Sequence, residues 1–462
     1  MAEGLAPVGG YRRVHLVGVA GAGMSALGKL LHQSGYVVSG SDLRGGAELE
    51  ALADLGIDVW PGHQPASLEG VDLVVASSAV PADDPELEEG RRRGLTVWYR
   101  PDLLEEISTN LATIGPTGTH GKTTSAAMLA LGLRAAGHDP SFVIGGEMVD
   151  LGTNGHRGAD DLLVLEVDEA FGTFHRIRLK GLIVTNIEPE HLDHFETPAL
   201  LQAAFEQVAG QVEGPVLAGA DDPGSASLAA IGGHLTFGFD HAADWRIVDL
   251  VSQPDAVHFR LRGRGADVDV GVPRPGVHIA RNAAGALALL SELGFDVAAA
   301  AEGLSSFHGV KRRFENRGQV GGVTLIDDYA HHPSEIEATI GAARTAGHRR
   351  VWAVFQPHLY TRTELLHARF GESLATADRV VVTDVYGARE APIPGVTGRL
   401  VADAATRAGA VVEYVPHLAD LAAHLASRVE PGDLVLTMGA GDITTVPAEL
   451  AALLDAGGGT DG

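Results

Sequence analysis

A glycine-rich turn, residues 118–124, follows the predicted strand Leu111–Gly115 and opens the predicted helix Ser125–Leu133. Its residues are Gly118, Thr119, His120, Gly121, Lys122, Thr123 and Thr124. At such a turn backbone N–H groups point at phosphate oxygens, the lysine reaches the β- and γ-phosphates, and the next hydroxyl binds Mg²⁺. Pro116 stands where the strict spacing of this loop has a glycine. Even so, the turn predicts a site for the phosphates of ATP.

Acidic side chains follow two neighbouring predicted strands. Glu166 and Asp168 come at the end of the strand Leu162–Glu166, and the segment Thr185–His191 ends the next one. The carboxyl ends of parallel strands meet at one edge of a sheet, so these carboxylates are expected to lie beside the phosphate-binding turn and hold Mg²⁺. The imidazole of His191 suits a second divalent ion that bridges phosphate and acceptor.

Another glycine-rich turn lies near the N-terminus. Residues 21–26, with the sequence GAGMSA, follow the predicted strand Val14–Val19 and fit the G-x-G-x-x-G/A pattern of dinucleotide-binding turns. Asp42 ends the next strand and is placed to accept a ribose hydroxyl. From the residues alone, NAD(P) and a UDP-sugar are both candidate ligands. No dehydrogenase constellation accompanies the turn.

The C-terminal third carries three polar segments that each follow a predicted strand. These are Asp327–Pro333, Phe355–Arg362 and Ala391–Gly395. A basic cluster, Lys311–Phe314, precedes them and suggests a bound phosphate. The neighbours His331 and His332 indicate a metal site only weakly, because adjacent side chains on an extended segment point in opposite directions.

The elements that position these residues alternate between continuous apolar strands and helical stretches rich in alanine and leucine. This pattern predicts βαβ units, buried parallel sheets and an α/β fold, with chemistry at the carboxyl ends of the strands. We place a Rossmann-like domain at residues 1–108, a central P-loop ATPase-like parallel sheet at 109–315, and a second Rossmann-like domain at 316–462.

Composition excludes several classes of protein. The 462 residues include 34 Lys+Arg and 60 Asp+Glu, and the formal charge of −26 opposes non-specific binding to nucleic acid or anionic membranes. The absence of cysteine excludes disulfides and thiolate metal sites. We find neither a readable signal peptide nor an apolar run that could span a bilayer, so a cytoplasmic location is expected.

Together these motifs resemble the Mur ligases, from near His15 to about Ile443. The segments that carry the resemblance are 21–25, 118–124, 185–191, Arg312 with Arg313, 327–333, 355–362 and 391–395. The Phe355–His358 and Ala391–Gly395 stretches are most similar to the branch of the family that adds L-alanine. Several other motifs are shared with the branch that attaches a recycled tripeptide to the same nucleotide sugar.

The resemblance implies an ATP-dependent ligase of peptidoglycan precursor synthesis. ATP would phosphorylate the carboxylate of UDP-N-acetylmuramic acid to an acyl phosphate, and the amine of L-alanine would attack it, releasing ADP and phosphate. The first domain would bind the UDP-sugar, the central domain ATP, and the third the amino acid and ATP. Mg²⁺ is the implied metal, with Mn²⁺ as a substitute. The protein is expected to be a monomer or a weak dimer, with no nucleic-acid partner and no membrane insertion.

The resemblance also assigns residues to roles. Lys122 would neutralise the transferring phosphoryl group. The implied metal ligands are Thr123 and Glu166 for one Mg²⁺ and His191 for a second. Outside the turn, the residues implied to contact ATP are His278, Asn282 and Arg313. Those for the UDP-sugar are Gly21, Ala22, Gly23, Met24, Ser25, Asp42, Ser77 and Ser78. Those that would face the amino acid and the acyl phosphate are His331, His358 and Arg362.

Some positions depart from the family pattern. Ala170 and Phe171 stand where the family usually has serine and aspartate, Leu359 replaces an arginine, and Ile279 replaces an asparagine. We hypothesise that Arg389 restores the charge lost at Leu359. Two alternative functions from other classes of protein remain. An NAD(P)-dependent oxidoreductase is motivated by the first glycine-rich turn, and a catalytically silent nucleotide-sugar binder is motivated by the departures from the family pattern.

Overall fold

The computed structural model of the protein describes residues 8–43, 45–189, 195–388 and 390–458, without the side chains of residues 170, 171, 457 and 458. The predicted metal ligand His191, the hypothetical compensating Arg389 and the side chains of Ala170 and Phe171 therefore lie outside the described residues. The chain forms two compact units. Unit 1 comprises Met1–Leu250, Phe259–Val272 and Ala280–His308, and unit 2 comprises Val251–His258, Pro273–Ile279 and Gly309–Gly462.

The first sheet lies in unit 1 and is parallel throughout. Its strands are β1 (Arg13–Val17), β2 (Val37–Asp42), β3 (Asp58–Pro61), β4 (Leu73–Ala76) and β5 (Thr96–Tyr99). The helices around it are α1 (Ala22–Gln33), α2 (Ala47–Asp54), α3 (Pro85–Arg92) and α4 (Arg100–Asn110). The strand order is β3-β2-β1-β4-β5. This order is typical of dinucleotide-binding folds, and it confirms the Rossmann-like prediction.

The central sheet carries the phosphate-binding turn. Its strands are β6 (Ala112–Thr117), β7 (Ser141–Met148), β8 (Thr153–His156), β9 (Leu162–Leu165), β10 (Gly181–Val184), β11 (Val216–Gly219), β12 (Leu235–Gly238), β13 (Trp245–Ser252), β14 (Val257–Gly263) and β15 (Ala266–Val272). The accompanying helices are α5 (Lys122–Ala135), α6 (Pro198–Gln211), α7 (Pro223–Gly232), α8 (Val277–Glu292) and α9 (Val297–Gly303). The strand order is β15-β14-β13-β12-β11-β10-β6-β9-β7-β8. Strands β9 and β10 flank β6 in parallel, as the convergence of their carboxyl ends requires.

The third sheet lies in unit 2. Its strands are β16 (Glu315–Val320), β17 (Val323–Asp328), β18 (Val351–Phe355), β19 (Arg379–Val382), β20 (Val412–Tyr414) and β21 (Leu434–Met438). The helices around it are α10 (Pro333–Thr345), α11 (Tyr360–Leu374), α12 (Arg399–Arg407), α13 (Leu418–Ala426) and α14 (Val446–Gly458). The order is β16-β17-β21-β18-β19-β20, parallel except for the β16–β17 pair. The α/β class is thereby confirmed, whereas the three-domain boundaries stay a prediction.

The helix after the phosphate-binding turn begins earlier than the sequence predicts. It starts at Lys122 rather than Ser125, because Gly121 adopts φ +84° and turns the chain directly into the helix. The lysine and both following threonines therefore occupy the first helical turn. No helix within the described residues is long and apolar enough to cross a membrane.

A buried carboxylate stabilises the first sheet. Glu86 on α3 accepts hydrogen bonds from the Ser41 hydroxyl (2.5 Å), the Ser67 hydroxyl (2.8 Å) and the Gln64 N–H (2.8 Å), and its carboxylate pairs with the His15 ring at 3.4 Å. Burial alone would raise the pKa of Glu86, but the contacts from His15 and Ser41 outweigh it and lower the pKa from 4.5 to about 2.

We therefore expect Glu86→Gln to lower the free energy of unfolding by roughly 3 kcal/mol at pH 7, since one pKa unit corresponds to about 1.4 kcal/mol. The folded-state pKa is depressed, so this stability is present above pH 4.5 and is lost as the pH falls towards 2. Urea unfolding at pH 7 and at low pH measures the difference, with the exposed Glu88→Gln on the same helix as control. If Glu86→Gln lowered the free energy of unfolding by the same amount at both pH values, the stabilising role of the ionised Glu86 carboxylate would be contradicted.

Candidate active site

The glycines of the phosphate-binding turn are required by close packing. Gly118 has φ +124°, and a Cβ there would overlap the Thr185 hydroxyl and lie 2.7 Å from the Asn186 carbonyl oxygen. Gly121 has φ +84°, and a Cβ there would lie 2.6 Å from the Asn282 Oδ1. Asn282, predicted to bind ATP, is thus packed directly against the turn. Both glycines allow an approach that any side chain would block.

The residues after β10 clamp the turn from the side. The Thr185 hydroxyl donates to the His120 carbonyl (2.6 Å), and the Asn186 side chain both donates to that carbonyl (3.1 Å) and accepts from the His120 N–H (2.9 Å). The Glu188 N–H donates to the Thr119 hydroxyl (2.8 Å). In its described part, the segment predicted to bind metal therefore fixes the shape of the phosphate-binding turn.

Lys122 is held by an acidic partner that the sequence did not single out. Its Nζ lies 3.0 and 2.9 Å from the two carboxylate oxygens of Glu169 and donates to the Gly118 carbonyl at 2.7 Å. Burial alone would lower the pKa of Lys122, but the carboxylates of Glu169 and Asp168 outweigh it and hold the pKa above its usual value. Burial raises the pKa of Glu169 to about 7 in spite of the lysine.

The predicted Mg²⁺ ligands Thr123 and Glu166 are brought together. The Thr123 hydroxyl donates to one carboxylate oxygen of Glu166 at 3.1 Å, and the Gly145 N–H donates to the other at 2.7 Å. A hydroxyl and a carboxylate are hard oxygen donors, which are the ligands that Mg²⁺ prefers. These residues fit the implied ion.

The first glycine-rich turn is fixed by hydrogen bonds that leave two backbone N–H groups available to a ligand. Asp42 accepts a hydrogen bond from the Ala20 N–H (3.1 Å), which ties β2 to the turn. The amides of Met24 and Ser25 donate to the Gly21 carbonyl at 2.8 and 2.9 Å. The N–H groups of Ala22 and Gly23 begin the described helix α1 and have no acceptor inside it, so they can face a ligand.

Other predicted UDP-sugar residues differ in exposure. The side chains of Met24 and Ser25 are buried, and their N–H groups already donate to the Gly21 carbonyl, so direct contact of these two residues with the UDP-sugar stays a prediction. Ser77 and Ser78 follow the carboxyl end of β4, and the Ser77 side chain lies against Gly18, 3.1 Å from the position a Cβ there would take.

Arg100, which the sequence analysis missed, lies against the same helix end. A Cβ on Gly23 would lie 3.0 Å from the Cζ and Nε of the Arg100 guanidinium, so the absence of a side chain at Gly23 leaves room for the arginine. The Nε is buried and has no hydrogen-bond partner among the described residues. A cation beside the positive end of a helix is unfavourable unless an anion lies between them. The arrangement therefore indicates an anionic ligand.

In unit 2 the predicted amino-acid residues meet at the carboxyl ends of the strands. The Arg362 guanidinium lies 3.3 Å from the Nδ1 of His358, and the ring centres of His331 and His358 are 6.0 Å apart. His358 stacks on Tyr386 at 5.9 Å. Leu359, between His358 and α11, has φ +69°, a strained value for a residue with a branched side chain.

The two arginines of the basic cluster in unit 2, Arg312 and Arg313, have different surroundings. Arg312 donates to the carbonyls of Gly439 (2.8 Å) and Gly441 (3.0 Å), so it holds the turn after β21. Arg313, predicted to contact the ATP phosphates, lies 4.8 Å from the Tyr329 ring centre and is half-buried, with a carboxylate oxygen of Glu335 at 3.9 Å. The His278 ring lies against Gly276, and Ile279 is buried.

Family models match most of the chain. Residues 13–110 match the Mur ligase family catalytic domain, residues 117–290 the Mur ligase middle domain, and residues 312–441 the Mur ligase glutamate ligase domain. The chain belongs to the Mur ligase family. The interpretation of the first glycine-rich turn as part of a nicotinamide oxidoreductase is therefore not supported, and phosphate binding by residues 118–124 stays a prediction.

Individual members of the Mur ligase family show which branch of the family this chain is most similar to. The chain is 45% identical to a UDP-N-acetylmuramate–L-alanine ligase of Kineococcus radiotolerans, over 98% of both chains. Its structure is similar to that of the UDP-N-acetylmuramate–alanine ligase of Thermotoga maritima, with a TM-score of 0.82, 27% identity, and coverage of 96% of this chain and 99% of the other. A murein peptide ligase of Psychrobacter arcticus gives a TM-score of 0.73 at 24% identity, over 96% of this chain and 98% of the other, which shows a shared fold alone.

Proposed function

We propose that this protein joins L-alanine to the carboxylate of UDP-N-acetylmuramic acid, with cleavage of ATP to ADP and phosphate, in peptidoglycan precursor synthesis. The observation that carries the proposal is the 45% identity, over 98% of both chains, to a ligase named for this reaction. The paired Lys122–Glu169 and Thr123–Glu166 side chains at the phosphate-binding turn support it. A cytoplasmic location, where the nucleotide substrates are made, is part of the proposal.

The reaction has two bond-forming steps. A carboxylate oxygen of the sugar attacks the γ-phosphorus of ATP, giving an acyl phosphate and ADP. The amine of L-alanine then attacks the acyl carbon, loses a proton, and displaces phosphate, which keeps the former carboxylate oxygen. Lys122 lies at the start of α5, where its charge and the first helical amides stabilise the phosphate oxygens as negative charge shifts during transfer.

Thr123 and Glu166 would hold Mg²⁺, and His191 is proposed as a ligand of a second ion. When bound, the metal neutralises charge on the β- and γ-phosphate oxygens, and Mn²⁺ is expected to replace it. Asn282 packs on Gly121 and is proposed to contact the nucleotide, as is His278. In unit 2, Arg313 is proposed to contact phosphate, and His331, His358 and Arg362 to face the amino acid and the acyl phosphate.

We expect Arg100→Ala to raise the KM for UDP-N-acetylmuramate by about 10- to 100-fold, since a hydrogen bond to a charged group contributes about 1.5–3 kcal/mol. The KM for ATP should stay unchanged, because the guanidinium of Arg100, which is on α4, lies against the start of α1 and not at residues 118–124. Steady-state kinetics with each substrate varied in turn measures both constants. Arg92→Ala, which removes an exposed arginine paired with Glu89, is the control. An unchanged KM for the sugar nucleotide would contradict the role.

The proposal is tested by ADP release with UDP-N-acetylmuramate, Mg-ATP and single amino acids, with each component omitted in turn. Release that requires the sugar nucleotide and is greatest with L-alanine supports it, and glycine and serine in the panel define the preference. Release that is greatest with a tripeptide would instead assign the protein to cell-wall recycling. Nucleotide binding without ADP release would instead indicate a catalytically silent binder, the alternative motivated by the departures at Ala170, Phe171 and Leu359.

A further inference from the structure

A hairpin of the central sheet packs against the helix that carries the first glycine-rich turn. The hairpin is formed by β7 and the edge strand β8, and α1 packs on both strands. The approach is close, because a Cβ on Gly155 would overlap the Ala26 carbonyl oxygen and lie 2.7 Å from the Ala26 Cα. The backbone of β8 therefore touches the backbone of α1, and only glycine fits at residue 155.

The side chain of Asn154, the residue before this glycine, makes hydrogen bonds to two successive turns of α1. Asn154 is 4% exposed. Its Nδ2 donates to the Ala22 carbonyl (2.8 Å) and to the Ser25 hydroxyl (3.1 Å), and its Oδ1 accepts from the Lys29 Nζ (2.8 Å). Both amide protons and the carbonyl oxygen of this buried side chain thus serve α1, so no polar group of Asn154 is left unsatisfied.

The hydrogen bond from Asn154 to the Ala22 carbonyl also affects the direction of the Gly23 N–H, which can face a ligand. The Ala22 carbonyl and the Gly23 N–H belong to one planar peptide group, so a hydrogen bond that fixes the carbonyl also fixes the direction of the N–H. That N–H is one of the two at the start of α1 that can face a ligand. Lys29 extends the connection, because its Nζ also lies 3.2 Å from Glu48 on α2, the helix that follows Asp42.

We propose that Asn154 is a positioning residue for the UDP-sugar, which it orients from the central domain by fixing the Ala22–Gly23 peptide group. The inference rests on the proposed function for the identity of the ligand. Asn154 acts through α1, and in this account its loss weakens binding of the diphosphate without changing the ATP turn at residues 118–124.

The experiment measures binding of UDP-N-acetylmuramate and of ATP separately by isothermal titration calorimetry, in the full chain and in Asn154→Ala. We expect the affinity for UDP-N-acetylmuramate to fall about tenfold and that for ATP to stay within about twofold, since loss of a well-placed hydrogen bond is worth about 1.4 kcal/mol. Retained ATP binding also shows that the variant is folded. Equal losses for both ligands would mean a merely structural role and would overturn the proposal.

Gln33→Ala provides a matched control. Gln33 accepts a hydrogen bond from the Arg157 N–H (2.8 Å), so this change removes a contact between the segment after β8 and the far end of α1. We expect it to leave both affinities unchanged. If Asn154→Ala does not fold, Lys29→Met removes one of the three bonds of Asn154 and should weaken the binding of UDP-N-acetylmuramate alone, by about threefold. No change in that variant would count against the proposal.

The two hypotheses fail in different ways. If the unaltered protein does not bind UDP-N-acetylmuramate, the proposed function is wrong. If the unaltered protein binds it and Asn154→Ala binds it equally well, the proposed function stands and the positioning role is wrong.

Discussion

Lys122→Met should reduce the rate of ADP release by about 10³-fold while the protein remains folded. Lys122 is the cation at the start of α5, and its Nζ lies within 3.0 Å of both oxygens of Glu169. Preorganised charge of this kind, aimed at a transferring phosphoryl group, is worth about 10²–10³-fold or more in rate. Methionine keeps most of the volume and removes the charge, so the loss should appear mainly in kcat.

Lys180→Met is the matched control for this change. Lys180 makes an exposed ion pair with Glu213, and surface pairs contribute about 0–1 kcal/mol, so its loss should leave kcat unchanged. Single-turnover kinetics at saturating ATP separates the chemical step from binding. If Lys122→Met retained more than about one tenth of kcat, Lys122 would not be stabilising the transferring phosphoryl group.

Glu166→Gln should lower kcat by about 10²-fold and raise the Mg²⁺ concentration needed for half-maximal rate by about tenfold, because it removes the anionic oxygen donor of the proposed metal site. Glutamine can still accept from the Gly145 N–H and donate to the Thr123 hydroxyl, which are hydrogen-bond partners of the Glu166 side chain among the described residues. The local structure should therefore survive.

Mg²⁺ titrations of the rate, after removal of metal with EDTA, measure this effect. In the unaltered protein EDTA should abolish ADP release, and Mg²⁺ or Mn²⁺ should restore it. Glu213→Gln, an exposed change of the same kind, should have the Mg²⁺ dependence of the unaltered protein. The same dependence in Glu166→Gln would contradict the assignment of this carboxylate as a ligand.

Local sequence patterns were sufficient for the fold class and for the phosphate-binding turn. The apolar strands predicted parallel sheets, and the position of Glu166 after β9 predicted its proximity to Thr123, because strands β9 and β6 pair in parallel. Both features depend on short-range spacing and on strand direction. The start of α5 at Lys122 was missed because it depends on the left-handed conformation of Gly121, which spacing alone does not reveal.

Partners distant in sequence could not be predicted. Glu169 reaches Lys122 across 47 residues, and Asn154 reaches Ala22 across 132. Such contacts depend on which helix packs on which strand, and this is decided by tertiary structure. The signal for Glu169 was present in the acidic segment after β9, but spacing alone did not show which of its carboxylates turns towards the lysine.

The central claim is that the carboxylate of UDP-N-acetylmuramic acid is activated by phosphorylation and then joined to L-alanine. The most direct test uses UDP-N-acetylmuramate labelled with ¹⁸O in that carboxylate, with mass spectrometry of the products. We predict one amide product and one ADP per phosphate, with one ¹⁸O transferred to the phosphate. Unlabelled phosphate, or ADP formed without the amide, would contradict the account.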